Sequence, residues 1–150
     1  MLYFAAVLRQ NFTTREFMAM IIGIGVDISE VGRMQAAVER RGEPLLQRVF
    51  TAREIAYCQS HRNCYERFAA RFAAKEAMMK ALGTGWRRGV SWRDIEVSNA
   101  ASGRPELKLT GKALEFYRAM GGTRLLLSLT HTDHYALAQV IIEGESATDV

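Results

Sequence analysis

The sequence predicts an α+β domain in which a largely antiparallel sheet packs against a long central helix. Two observations carry that prediction. Helix signals concentrate between residues 28 and 83, whereas period-two apolar segments concentrate after residue 93. Nowhere do short strands and helices alternate regularly, as a doubly wound parallel sheet requires.

The elements follow in chain order. Residues 1–19 read as an N-terminal extension: the apolar patch from Leu2 to Leu8 is short and lacks the basic stretch that precedes a signal sequence. The domain is expected over residues 20–144, with a tail at 145–150. IIGIGV (Ile21 to Val26) is a short apolar run bounded by Asp27 and reads as a buried strand. Asp27 and Glu30 then give a D-x-x-E capping signature for a helix running to Arg41 and ending at Gly42, with Gly42 and Pro44 as punctuation. Thr51 and Glu54 form a T-x-x-E box opening a second helix. Asn63 and Glu66 open the third and longest, Cys64 to Leu82, which Gly83 closes. DIEVSN and ELKLT read as strands joined by a turn holding Gly103 and Pro105. A helix from Lys112 to Met120 follows, and LLLSLT and YALAQVII make a hairpin across HTDH. The count is about four helices and five strands.

Composition excludes several classes of protein. A chain of 150 residues that is 49% hydrophobic and 24% charged can bury a core and is not a disordered polymer. No apolar run reaches the roughly 18 residues of a spanning helix, which argues against a membrane protein. Net charge is only +4, but Arg33 to Lys75 alone holds nine basic and four acidic residues, so the excess is local. Two cysteines, Cys58 and Cys64, form no disulfide framework, and a cytoplasmic location is the expectation. With His61 they spell C-x-x-H-x-x-C, which offers three zinc ligands and not four.

The long helix carries the first chemical signal. At about 100° per residue, Phe68, Phe72 and Met79 form an apolar stripe, and Arg67, Arg71 and Lys75 share another face, read as open to solvent or ligand. Glu76 falls inside the apolar stripe with Lys80 beside it. A carboxylate there needs a cation, which either Lys80 or a divalent metal can supply. Asp27, at the end of the first strand, reads either as a helix N-cap or as a second metal ligand. Two rigidly placed carboxylates suit an Mg²⁺ that keeps several waters and takes phosphate oxygens. Arg62, Arg71, Lys75 and Lys80 are suited to gripping phosphates, and the Gly83–Gly85 segment permits close backbone approach. His131, Asp133 and His134 form H-x-D-H on the hairpin, read as polar turn residues in preference to a metal site. No dinucleotide fingerprint, Walker lysine or nucleophile elbow is present.

Five segments then occur in a recognisable order: GIGVD (Gly23 to Asp27), RFAAKEAMMKALGTG (Arg71 to Gly85), W-x-DIEV (Trp92 to Val97), GRP (Gly103 to Pro105) and SLTH (Ser128 to His131). Together they resemble the small, holo-[acyl-carrier-protein] synthase type of 4′-phosphopantetheinyl transferase, over residues 20–144. The resemblance implies that family's fold, a trimeric assembly with sites between subunits, and a role in fatty acid biosynthesis. It implies Mg²⁺-dependent transfer of 4′-phosphopantetheine from coenzyme A to a serine of apo-acyl carrier protein, releasing adenosine 3′,5′-bisphosphate. Asp27 and Glu76 match the metal ligands. Lys80 matches a lysine assisting the departing bisphosphate or the proton transfer, and Glu76 and a metal-bound water are both candidates for taking the serine proton. Arg62, Arg71, Lys80, Gly83, Gly103, Pro105 and His131 match positions toward coenzyme A. Arg33 matches an arginine that meets the acidic carrier protein, and Arg40 and Arg48 extend its patch. The competing reading is a non-catalytic basic module for an acidic protein or a nucleic acid; no groove-reading motif supports the nucleic-acid form.

Overall fold

A computed structural model describes residues 19–145. The extension and the tail expected from the sequence lie outside these residues, apart from Ala19 and Glu145, which pair with each other at the rim of the sheet. The chain runs β1 (Ala19–Glu30), α1 (Val31–Arg41), α2 (Glu43–Val49), α3 (Ala52–Gln59) and α4 (Cys64–Ala81). A 3₁₀ turn (Trp92–Asp94) follows, then β2 (Ile95–Asn99), β3 (Pro105–Leu109), α5 (Gly111–Ala119), β4 (Gly122–His131) and β5 (Tyr135–Glu145). All strand pairs are antiparallel, in a three-stranded sheet of order β1-β5-β4 and a separate β2–β3 ribbon. The α+β class and the five strands are as expected.

Two elements differ from the sequence reading. Strand β1 continues through Asp27 to Glu30, so Asp27 is not an N-cap; Glu30 takes that place, and its side chain caps nothing. Helix α2 replaces what was read as punctuation. Pro44 stands in its first turn, where a missing N–H costs nothing and a fixed φ helps. By contrast the Thr51–Glu54 capping box forms in full: Thr51 Oγ1 accepts from the Glu54 amide at 3.3 Å, and the Thr51 amide donates to Glu54 Oε2 at 2.9 Å.

Helix α4 is the axis of the molecule. Its alanine-rich sequence favours helix and lets neighbours approach closely. Ala73, Ala74, Ala77, Met78 and Met79 are buried, packed with Val140 and Ile142 of the sheet and Ile95 and Val97 of the ribbon. A second cluster joins Leu46, Val49, Phe50, Cys58 and Phe68 across α2, α3 and α4, with the Phe50 and Phe68 rings 4.9 Å apart.

The closest packing is strand against helix. Gly23 and Gly25 face α4, and a Cβ built on Gly25 would stand 1.8 Å from the Ala77 carbonyl oxygen; one on Gly23 would stand 2.5 Å from that of Ala81. Only glycine permits this approach. The strand is not buried as the sequence suggested, since its other face is apolar and open: Ile24, Val26 and Ile28 are 60%, 53% and 61% exposed. Leu137 and Ile141 lie opposite Ile28 and Ile24 on β5, and Leu126 of β4 lies opposite Ile141, so the outward side of the sheet carries a large apolar patch, interrupted by Gln139 opposite Val26 and Ser128.

Candidate active site

Strand β1 and helix α4 run in opposite directions where they touch: Gly23 lies against Ala81 and Gly25 against Ala77. Asp27, two residues further along the same strand face, is therefore carried toward the preceding turn of the helix, around Ala73, with Glu76 one residue before Ala77. Lys80, one turn beyond Glu76, points back toward the helix N-terminus as helical side chains do. Its Nζ donates to Asp27 Oδ1 at 2.7 Å and to the Val26 carbonyl at 2.9 Å. The Lys80 side chain is 53% exposed and that of Asp27 17%, so the pair lines an opening. Glu76 is half-buried, and its Oε1 accepts the indole N–H of Trp92 at 2.5 Å.

Two hard carboxylates beside an open edge fit a hard cation such as Mg²⁺. Among the described residues no three Asp, Glu, His or Cys side chains gather as a metal site. A cation held by Asp27 and Glu76 would thus complete its shell from water or phosphate oxygens, the arrangement Mg²⁺ favours. The same result removes C-x-x-H-x-x-C as a metal centre: Cys58 is a buried free thiol, and His61 Nδ1 lies 2.7 Å from the Tyr57 carbonyl oxygen.

The expected phosphate-binding groups divide into separate places along α4. Arg62 is exposed in the turn before the helix. His131, at the end of β4, has its Nδ1 3.3 Å from Glu66 Oε2 in the first helical turns. Arg71 is buried, with its guanidinium 4.0 Å above the centre of the Tyr57 ring and one nitrogen donating to Asn99 Oδ1 at 3.0 Å. Asn99 in turn donates to the Gly103 carbonyl at 3.1 Å and pairs across the ribbon with Pro105, so Arg71, Gly103 and Pro105 form one connected unit. Arg71 Nε is buried without a hydrogen-bond partner among the described residues. Gly83, with φ of +70°, ends α4 at its far end.

Lys75 is a correction to the helical wheel. It does not face solvent or phosphate: it is wholly buried, its Nζ 2.8 Å from Glu54 Oε2 and donating also to the carbonyls of Trp92, at 2.9 Å, and Ile95. Glu54 Oε1 accepts the Val97 amide at 2.8 Å. Three ammonium protons meet three acceptors, so the charge is fully compensated. Burial pushes the Lys75 ammonium below the usual lysine range, against the pull of Glu54. The wheel missed this because both sides of α4 are covered, one by the sheet and the other by α3 and β2.

The expected carrier-binding arginines are exposed on two neighbouring helices, Arg33 and Arg40 on α1 and Arg48 on α2. Arg33 borders a cleft of about 440 Å³ with Ile28, Met34, Phe72 and Tyr135. Arg48 borders a second, of about 380 Å³, with Trp86, Val90 and Trp92. Sequence reasoning gave Trp92 no role; the signal available was an indole donor sixteen residues from a carboxylate in an apolar stripe.

Comparison with known proteins adds an independent line. The profile of the 4′-phosphopantetheinyl transferase superfamily matches residues 23–140. Holo-[acyl-carrier-protein] synthase of Koribacter versatilis is 52% identical over 124 residues, covering 83% of this chain and 99% of the relative. That of Solibacter usitatus is 50% identical over 125 residues, covering 83% and 100%. Among solved structures, holo-[acyl-carrier-protein] synthase from Neisseria meningitidis superposes with a TM-score of 0.75 at 35% identity, over 82% of this chain and 98% of that one. A Bacillus anthracis holo-(acyl-carrier-protein) synthase in complex with CoA (3′,5′-ADP) gives 0.70 at 35% identity, over 85% and 100%.

Proposed function

The chain belongs to the 4′-phosphopantetheinyl transferase superfamily, and from that premise we propose that it carries out the holo-[acyl-carrier-protein] synthase reaction. It transfers the 4′-phosphopantetheine arm of coenzyme A to a serine of apo-acyl carrier protein. A bond forms between the serine oxygen and the β-phosphorus, and the bond to adenosine 3′,5′-bisphosphate breaks. The serine proton passes to a base, for which Glu76 is the chain's own candidate. The observation that carries this reading is the contact of β1 with α4, which brings Asp27 to Lys80 beside Glu76.

Asp27 and Glu76 would hold Mg²⁺, as their hard oxygens and open edge suit. When bound, the ion neutralises charge on the pyrophosphate during transfer. Lys80 keeps Asp27 oriented and offers a mobile ammonium to the departing bisphosphate. Arg71, its Nε without a partner, together with Gly103, Pro105, Arg62, Gly83 and His131, supplies the contacts to coenzyme A. Arg33, Arg40 and Arg48 face the acidic carrier. The open apolar side of the sheet supports a homotrimer, because leaving so many large aliphatic side chains in water is unfavourable and a second copy would cover them. Light scattering at three chain masses checks that assembly. Among the described residues no helix is long and apolar enough to cross a membrane; the reaction proposed is that of a cytoplasmic enzyme of fatty acid biosynthesis.

The test is a carrier-loading assay read by intact mass. Wild type with coenzyme A and Mg²⁺ should add one phosphopantetheine to the carrier serine, and Asp27→Ala or Glu76→Ala should lower the rate by about 10²–10³, the usual loss when a group stabilising transition-state charge is removed. Absence of loading by folded wild type, with tight RNA or DNA binding instead, would favour the binding-module reading.

A further inference from the structure

Trp92 is held at both ends by consecutive residues of α4. Lys75 Nζ takes its carbonyl oxygen at 2.9 Å, and Glu76 Oε1 takes its indole N–H at 2.5 Å. Lys75 is wholly buried, whereas Glu76 is half-buried one turn before Lys80, so the tryptophan spans the two environments. Its backbone is fixed further by the turn it opens. Ser91 and Asp94 cap that turn reciprocally, at 3.2 Å from the Arg93 amide to Ser91 Oγ and 3.1 Å from the Ser91 amide to Asp94 Oδ2. The Phe72 ring lies 6.3 Å from the indole at an interplanar angle of 35°, fixing the ring as well.

A glutamate has three side-chain torsions, and an unrestrained one loses rotamer freedom when it grips a ligand. An indole N–H can only donate, so it fixes one carboxylate oxygen without competing as a ligand or exchanging a proton. Glu76 Oε2 is then left to coordinate. We infer that Trp92 is a positioning residue for Glu76, presenting that carboxylate to a divalent cation, with the buried Lys75–Glu54 pair as its anchor. The inference rests on the reading of Glu76 as a metal ligand.

The test reads the hydrogen bond and the metal separately from turnover. The chain has two tryptophans, so ¹⁵N labelling yields two indole signals, and Trp86→Phe assigns them. The Trp92 indole proton should resonate downfield of Trp86, shift when Mg²⁺ is added, and return to an ordinary position in Glu76→Ala. Trp92→Phe keeps the ring's bulk but loses the donor. It should weaken Mn²⁺ binding, measured by electron paramagnetic resonance, by about 10-fold, as loss of an outer-shell partner does. The Mg²⁺ concentration for half-maximal loading should rise in step, while KM for the carrier protein stays unchanged. Mn²⁺ binding equally tight in Trp92→Phe, or absent in wild type, overturns the inference; so does an indole signal indifferent to Glu76→Ala. Should Trp92→Phe not fold, the signals of wild type and Glu76→Ala decide alone. A wild type that binds Mn²⁺ but loads no carrier sinks the proposed reaction and leaves the role of Trp92 standing.

Discussion

Two ion pairs fasten lysines of α4 to carboxylates elsewhere in the chain, and they differ in little except water. Lys75 meets Glu54 at 2.8 Å with both side chains wholly buried; Lys80 meets Asp27 at 2.7 Å with the lysine 53% exposed. The first has every proton and the carboxylate's oxygens committed to protein partners, so it cannot open without stranding a charge in the core. The second can exchange its contact for water, metal or phosphate at small cost. The difference teaches that contact length does not tell a closed pair from one free to exchange partners; access does.

The largest expected effect comes from breaking the buried pair. Lys75→Met strands Glu54 and should cost about 3–5 kcal/mol of stability, measured by urea unfolding. Glu54→Leu with Lys75→Met should be more stable than Lys75→Met alone. It should not regain wild-type stability, because Glu54 also accepts the amides of Thr51 and Val97.

The buried region also holds Cys58, whose thiol burial pushes from 9.0 up to about 12. A folded-state pKa above the unfolded value means the folded chain keeps its proton longer. This contribution to stability is therefore whole below pH 9.0 and is lost as pH rises toward 12. Urea midpoints on either side of pH 9 should fall more steeply in wild type than in Cys58→Ala. A thiol reagent should modify Cys64 first and reach Cys58 only on unfolding. The smallest expected change in stability is at the open pair: Lys80→Met should move it by less than about 1 kcal/mol while carrier loading falls. A large loss of stability there would erase the contrast.

The sequence made some of this legible and hid the rest for physical reasons. Local signals held where the partners are local: the Thr51–Glu54 box forms within four residues, and Gly83 ends α4 next to it in the chain. Glu76 stood out because a carboxylate in an apolar stripe demands a partner. The wheel could not show that Lys75 and Arg71 are buried, since their cover comes from Glu54 and Asn99, 21 and 28 residues away. Asp27 looked like a cap because D-x-x-E precedes a helix, yet pairing with Ala138 keeps it in the strand. Pro44 was legible in principle, as a first-turn proline. Trp92 was legible only in part: an indole donor and a carboxylate in need of a partner are both in the sequence, but not where the indole N–H points.

The close approach of Gly23 and Gly25 to α4 sets how finely the site is built. With no side chain between them, the spacing of Asp27 from the helix is fixed by backbone on both sides and does not drift as larger core residues are exchanged. Gly25→Ala would have to lever the strand off the helix, and Asp27, two residues along, would swing with it. A pair of hydrogen atoms, one on each glycine, is the machining tolerance of the whole centre.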